Sequence, residues 1–304
     1  MRVDPNYVTN LVASLDNVTA NEQKLSSEIS SGVRVTSLSD DPVAAGENVI
    51  MLNSIQQDDS FTETANSVTG MLQVADSALG SVVTELTSAI SLATSANNGT
   101  MNSSDVKSVS NELAGILAEV TSLANTAYQG QYIFAGSQTS TAPFTTTSGV
   151  TYTTTYNGDT DINYVVTPSG QKIQLNVPGS TVFMGSGSNS VFGALTNLVN
   201  DYSTGTVNTS QAITDTESLD TALNYLSQQR VTIDDSINQI TAASDAMTNQ
   251  KTQLLTEQTD LMQADTATVA TQLSQAETQQ TALEDTISTL NSTTDTLFNK
   301  LPVP

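Results

Sequence analysis

Both ends of this 304-residue chain carry apolar side chains at alternating steps of three and four. At the front these are Val8, Leu11, Leu15, Val18, Leu25 and Ile29, interrupted by Glu22. At the far end they are Val269, Leu273, Ala276, Leu283, Ile287, Leu290 and Leu297, interrupted by Gln280 and Thr294. Such spacing is a heptad seam, which buries itself against another helix rather than a globular core. Two seams at opposite ends describe a chain that goes out, turns and comes back. They can pair with each other or with copies in neighbouring molecules. A lone antiparallel pair buries only one side of each helix, so the seams favour packing between molecules. The expectation is an assembly subunit, not an enzyme.

Composition supports that direction. The chain has no Cys, His or Trp. It therefore lacks the usual proton shuttle near neutral pH, a thiol nucleophile, and imidazole or thiolate metal ligands. Against 31 Asp and Glu stand 8 Lys and Arg, none adjacent to another, for a formal charge of -23. Nucleic-acid binding requires clustered cations, so no nucleic-acid partner is expected. The acid excess reads as solubility and self-repulsion. No apolar run approaches the ~20 residues of a membrane span, so no membrane partner is expected either. Met1-Arg2-Val3-Asp4-Pro5 has no apolar stretch like a cleavable signal, so any export is expected to leave the front intact.

The helical pattern predicts a mainly α protein: a long antiparallel bundle or coiled coil formed by both ends, with a small β-rich insert. The first helix is expected from Pro5 to Ser31, stopped by Gly32. Asp41 as N-cap and Pro42 at the first position start a second. Its expected apolar stripe includes Val49, Leu52, Phe61, Val68, Leu72, Leu79 and Leu86. Asn97-Asn98-Gly99 ends it, and a third helix from Ser103 or Ser104 carries Val109, Leu113, Ile116, Val120, Leu123 and Ala127. At Gly130 the period changes. Gln131 to Ala135, Thr151 to Tyr156, Ile162 to Val166 and Gln171 to Val177 read as strands, separated by turns at Asn157-Gly158, Pro168-Ser169-Gly170 and Pro178-Gly179. Helical pattern returns at Val191 and again over Thr216 to Lys300, with a phase slip near Asp265 that marks a joint between segments, where a hinge is expected. Arg230 interrupts one seam position. The expected divisions are an N-terminal assembly helix 1–38, a first bundle half 39–136, the β insert 137–188, a second bundle half 189–265 and a C-terminal assembly helix 266–304. The seams lie outside the insert, so replacing residues 137–185 is expected to leave assembly intact.

The acidic pairs Asp40-Asp41, Asp58-Asp59 and Asp234-Asp235, and Asp159 with Asp161, need a pocket and shifted pKa values to act in catalysis. Adjacent acids on helices and turns ordinarily sit in solvent, and Asp40-Asp41 reads as capping chemistry. Asn157-Gly158-Asp159-Thr160-Asp161 lacks the distal ligands of a calcium loop and reads as a turn. No phosphate loop, nucleophile elbow or dinucleotide fingerprint appears. No catalytic, cofactor or metal residue is assigned.

Ser31-Gly32-Val33-Arg34-Val35, followed by Ser39-Asp40-Asp41-Pro42-Val43-Ala44-Ala45-Gly46, resembles the N-terminal signature of the flagellin superfamily. The Asp-Asp-Pro form with Met1-Arg2-Val3 is similar to that of its hook–filament junction members. Gly130-Gln131-Tyr132-Ile133-Phe134-Ala135-Gly136-Ser137 resembles the family's approach to its β domain, which singles out Tyr132, Phe134 and Gly136. Asp265 with Val269, Ala270, Leu273 and Ala276 matches the superfamily's C-terminal helix. Val231-Thr232-Ile233-Asp234 departs from a segment where the family often has Gly plus a base.

The resemblance implies a structural adaptor of the bacterial flagellum, exported through the type III channel without cleavage and located outside the cell. It implies a ring of copies joining the hook, through a neighbouring hook-associated protein, to flagellin. An export chaperone would bind the C-terminal region, and no cofactor is implied. Filament flagellin itself is the first alternative. A secreted adhesin or enzyme using the β insert is the second.

Overall fold

The computed structural model describes residues 7–97, 101–149 and 151–298. Its helices are α1 (Tyr7–Ser31), α2 (Pro42–Ala96), α3 (Ser103–Ala124), α4 (Gly179–Val182), α5 (Val191–Ser203), α6 (Thr209–Met262) and α7 (Thr266–Phe298). The described chain is mainly α, with a small β region. Helix ends follow local chemistry. Gly32 takes φ +69°, a conformation in which a Cβ is strained, and closes α1. The Ala44 amide donates to Asp41 Oδ1 at 3.1 Å, with Pro42 at the first helical position. Asn102 accepts from the amides of Ser104 and Asp105 ahead of α3. Asp265 accepts from those of Ala267 and Thr268 ahead of α7.

The chain divides into two compact units. The first takes the described residues up to Gln56 and from Lys251. In it α1 packs against α7. The pairing is antiparallel: Leu25 clusters with Ala264, Val269 and Ala276, while Tyr7 lies beside Asp285 to Leu290. The start of α2 and the end of α6 also belong here, tied by Gln258 Nε2 donating to Asn48 Oδ1 at 2.6 Å.

The second unit runs from Gln57 to Gln250. Its helical core is built on Leu72, Leu79 and Leu86 from α2, Leu113 and Leu117 from α3, and Leu219, Leu226, Ile233 and Ile240 from α6. The β region consists of three two-stranded antiparallel pairs. These are β1 (Ala127–Tyr128) with β2 (Gln131–Tyr132), β3 (Phe144–Thr147) with β4 (Thr153–Tyr156), and β5 (Tyr164–Val166) with β6 (Lys172–Gln174). The first hairpin turns through Gln129 and Gly130, both at positive φ, as a two-residue type I′ turn requires. The chain has six Phe, and four of them meet here: Phe134, Phe144, Phe183 and Phe192 stack with centroids 4.8–5.7 Å apart. Their cluster is continuous with the helical core.

Several elements differ from expectation. α3 stops at Ala124 and Ala127 belongs to β1, because the Asn125 side chain turns aside to bond both the N–H and C=O of Phe144. Only Gln131 and Tyr132 of the expected Gln131–Ala135 strand pair; Ile133, Phe134 and Ala135 sink into the core instead. Strand β3 was not anticipated from the sequence. It is held to β4 by cross-strand threonine pairs, Thr145 to Thr155 and Thr146 to Thr154, each at 2.9 Å. α6 starts at Thr209 rather than Thr216; Asn208 precedes it, in a stretch with little apolar pattern. Val49 and Leu52 are exposed, while Ala44 and Ile55 take the inward face of that part of α2.

Candidate assembly surface

Of the seam residues, Leu25, Val269 and Ala276 are buried. Leu11, Leu15, Val18, Leu273, Leu283, Ile287 and Leu290 are only half-buried by the pairing of α1 with α7. The side chains of Val8 and Leu297 lie outside the described residues. Ile29 is 37% exposed, and its neighbour Glu28 turns inward. The phase changes here because α1 is about to end at Gly32, and Lys24 lies between Glu28 and Asp40, 2.9 Å from the latter. Ile29 is therefore not part of the seam within one chain. Glu22, the polar interruption, keeps its Oε1 enclosed without a hydrogen-bond partner among the described residues.

The phase slip near Asp265 is a stitched break. α6 ends at Met262, and Val33 and Gln263 form an antiparallel bridge. The Arg34 amide donates to the Met262 carbonyl at 2.7 Å, and the Ala264 amide to the Gly32 carbonyl at 2.9 Å. The Arg34 guanidinium reaches the Leu261 carbonyl at 3.2 Å and Asp41 Oδ2 at 3.1 Å. Bonds on both sides leave this joint fixed where the sequence suggested a hinge.

Residues 36–41 are ordered by two carboxylates. Asp40 Oδ2 accepts from the amides and hydroxyls of Thr36 and Ser37 at 2.9–3.1 Å. The Lys24 ammonium and these donors hold the Asp40 carboxyl far below the usual carboxylate range. The same contact raises Lys24. The Ala44 amide and the Arg34 guanidinium lower Asp41. Ser39 adds a hydroxyl contact to Ser37 at 2.7 Å. Asp40 and Asp41 are thus loop and cap anchors, and Pro42 is an exposed first helical residue. Around this loop Leu38 and Val43 are 69% and 70% exposed, with Val49, Ile50 and Leu52 also outward on α2. The sequence pattern places Val49 and Leu52 on the inward stripe of α2 and gives no sign of Leu38, Val43 or Ile50.

The residues at the approach to the β insert are packing elements. Phe134 is buried edge-on against Phe183, and Tyr132 is half-buried in its hairpin. Gly136 adopts φ +72° with the Asp159 backbone so near that a Cβ would meet its carbonyl oxygen at 2.6 Å. Asp159 accepts from Ser137 and from the Asp161 amide, which lower its carboxyl and make it a turn anchor. Arg230 forms a two-point ion pair with Asp76, at 2.7 and 3.0 Å, which explains its place on an apolar helix face. Asp58 is buried, and burial with the adjacent Asp59 raises its carboxyl. One acid pair had no sequence signal. Asp201 on α5 faces Asp215 on α6, residues separated in sequence and joined by the turn between these helices; burial and Asp215 push Asp201 up to about 6. Among the described residues no three side chains of His, Cys, Asp or Glu converge as metal ligands. No described helix is long and apolar enough to cross a membrane.

The family profile of the bacterial flagellin N-terminal helical region matches residues 6–139. The front of the chain is thus similar to a flagellin-type helical region. Flagellar hook-associated protein 3 of Salmonella typhimurium is 34% identical over 139 residues, 45% of this chain and 44% of that protein. Its Escherichia coli counterpart is 33% identical over 136 residues, 44% and 43% of the two chains. The alignments thus span less than half the length of these curated relatives. The crystal structure of hook-associated protein 3 from Legionella pneumophila superposes with a TM-score of 0.60 at 15% identity, over 70% of this chain and 98% of that one. The fold shared with that structure therefore extends beyond residue 139. The matched region contains α1, α2, α3 and the stitched loop at residues 32–41.

Proposed function

We propose that this chain is a structural adaptor of the bacterial flagellum, joining the hook to the flagellin filament through its terminal helices. The observation that carries the proposal is the half-buried pair of α1 and α7. It leaves Leu11, Leu15, Val18, Leu283, Ile287 and Leu290 partly exposed, and it encloses a Glu22 oxygen without a hydrogen-bond partner among the described residues. Covering the remaining surface of such a stripe in neighbouring copies contributes up to about 1 kcal/mol per large side chain. The similarity to proteins named hook-associated protein 3 favours the junction over the filament.

On this reading the copies form a ring. One side meets a neighbouring hook-associated protein and the other meets flagellin. An export chaperone covers the C-terminal region before passage through the type III channel, and the protein works outside the cell. The role is mechanical: one helical surface satisfies two assemblies with different subunit preferences, without catalysis or a cofactor. Deleting the gene and imaging cells and medium by electron microscopy tests this. Hooks without filaments, with flagellin released to the medium, are expected. Normal filaments contradict the proposal. Self-polymerisation of the purified chain into long filaments would instead identify a filament subunit.

A further inference from the structure

Away from the terminal helices, the second unit carries a slot of about 330 Å³ between one face of α2 and the strand β5. Gln57, Ser60, Phe61 and Thr64 form one wall at helical spacing, and Val165, Val166 and Pro168 form the other. Adjacent strand residues point to opposite faces of a hairpin. A slot that both valines line therefore runs along the edge of β5, and no residue of β6 lines it. The hydrogen-bond register makes that edge usable. Leu175 donates to the Asn163 carbonyl and Thr167 to the Gln171 carbonyl, both at 2.8 Å, so residues 163, 165 and 167 bond inward to β6. The N–H and C=O groups of Tyr164 and Val166 consequently face the slot. Ile162, Tyr164 and Val166 are 42–53% exposed along one face of this edge.

We propose that β5 takes an extended peptide of a partner protein as a third strand, with apolar or β-branched side chains towards Phe61 and Val165 and an acidic side chain towards Lys172. Open strand edges are templates for such pairing, with main-chain bonds supplying affinity and alternate side chains supplying selectivity. The charge preference follows from the site. The slot lining is uncharged, and Lys172, directly across from Val166, is the single base between Lys107 and Arg230. It has no ion-pair partner among the described residues. The β5 edge of a second copy carries no acidic residue from Ile162 to Pro168 to set against Lys172, which favours another protein as donor of the strand. This inference does not rest on the junction role.

The test follows amide shifts of the isotope-labelled full chain during titration with an octapeptide of alternating Val and Thr ending in Asp. Two controls accompany it: the same peptide N-methylated at alternate residues, and one ending in Lys. Saturable shifts at Ser60, Phe61, Tyr164 and Val166 with Kd below about 1 mM are expected. N-methylation along the bonding edge should weaken binding at least about tenfold, as should Val166→Pro, which removes an outward N–H without breaking an inward bond. Lys172→Glu should reverse the preference for the Asp peptide over the Lys peptide. The N-methylated peptide leaves the protein unaltered, so the test stands even where Val166→Pro lowers stability. Absence of saturable shifts with every peptide, or binding indifferent to N-methylation, overturns the proposal. So does a peptide-independent dimer that Val166→Pro abolishes, because the edge would then belong to a second copy.

Discussion

At the scale of single residues, two carboxylates pull stability in opposite directions with pH. Asp201 is held near 6 in the folded chain, above its ordinary 3.8, by burial and by Asp215. The folded state therefore binds the proton more tightly, and its contribution is complete below about pH 4 and lost as pH rises through 6. Asp201→Asn should flatten the fall in melting temperature across that window and raise it at neutral pH relative to the parent. A parallel pH profile for parent and variant would show that burial and Asp215 do not raise the Asp201 carboxyl. Asp40 is the reverse case: its lowered carboxyl contributes stability above the ordinary carboxylate range, and that stability disappears in acid. Asp40→Asn removes the charge beside Lys24 and leaves one acceptor oxygen. Amide exchange at Thr36 and Ser37 should accelerate, while Ala44, capped by Asp41, stays protected. Unchanged exchange at Thr36 and Ser37 would contradict the anchoring role.

At the scale of elements, the β insert and the helices share one core. Phe134 and Phe192 are each 1% exposed and lean on Phe144 and Phe183 from the insert. Replacing Ser137 to Gly185 by a Gly-Ser linker uncovers several large side chains at about 1.5–3 kcal/mol each, against a typical margin of ~5–15 kcal/mol. The second unit should then lose its cooperative melt and bind a hydrophobic dye. A preserved melt would show that the insert is separable, as the position of the seams alone suggests. The helices were legible because capping residues and three-four spacing are local signals: Asp41-Pro42, Ser103 and the slip at Asp265 all mark real boundaries. The β region was only partly legible. Phe144-Thr145-Thr146-Thr147 has no apolar alternation, and its pairing is set by threonine hydroxyls and by Asn125, nineteen residues away. The stitched joint was invisible for a similar reason. Val33 and Gln263 meet only in the folded chain, and no spacing rule links them.

At the scale of the whole molecule, apolar surface is divided unevenly. Leu79, Leu86, Leu113 and Leu226 of the second unit are wholly covered, whereas the paired ends leave Leu283, Ile287 and Leu290 half-buried and Leu38, Val43 and Ile50 outward. A unit that completes its core within one chain is built to fold. A unit that leaves apolar residues partly exposed along its paired helices is suited to being covered by others. The central claim is that these two tasks use separate residues, and Leu283→Asp with Leu290→Asp tests it most directly. A charge at each position would have to be buried without a partner in the assembled joint, at a cost of several kcal/mol. The measurement pairs filament imaging of cells carrying the double variant with thermal melting of the purified chain. Loss of filaments, with the main melting transition unmoved, is the predicted result. Normal filaments, or a large fall in the main transition, would contradict the account.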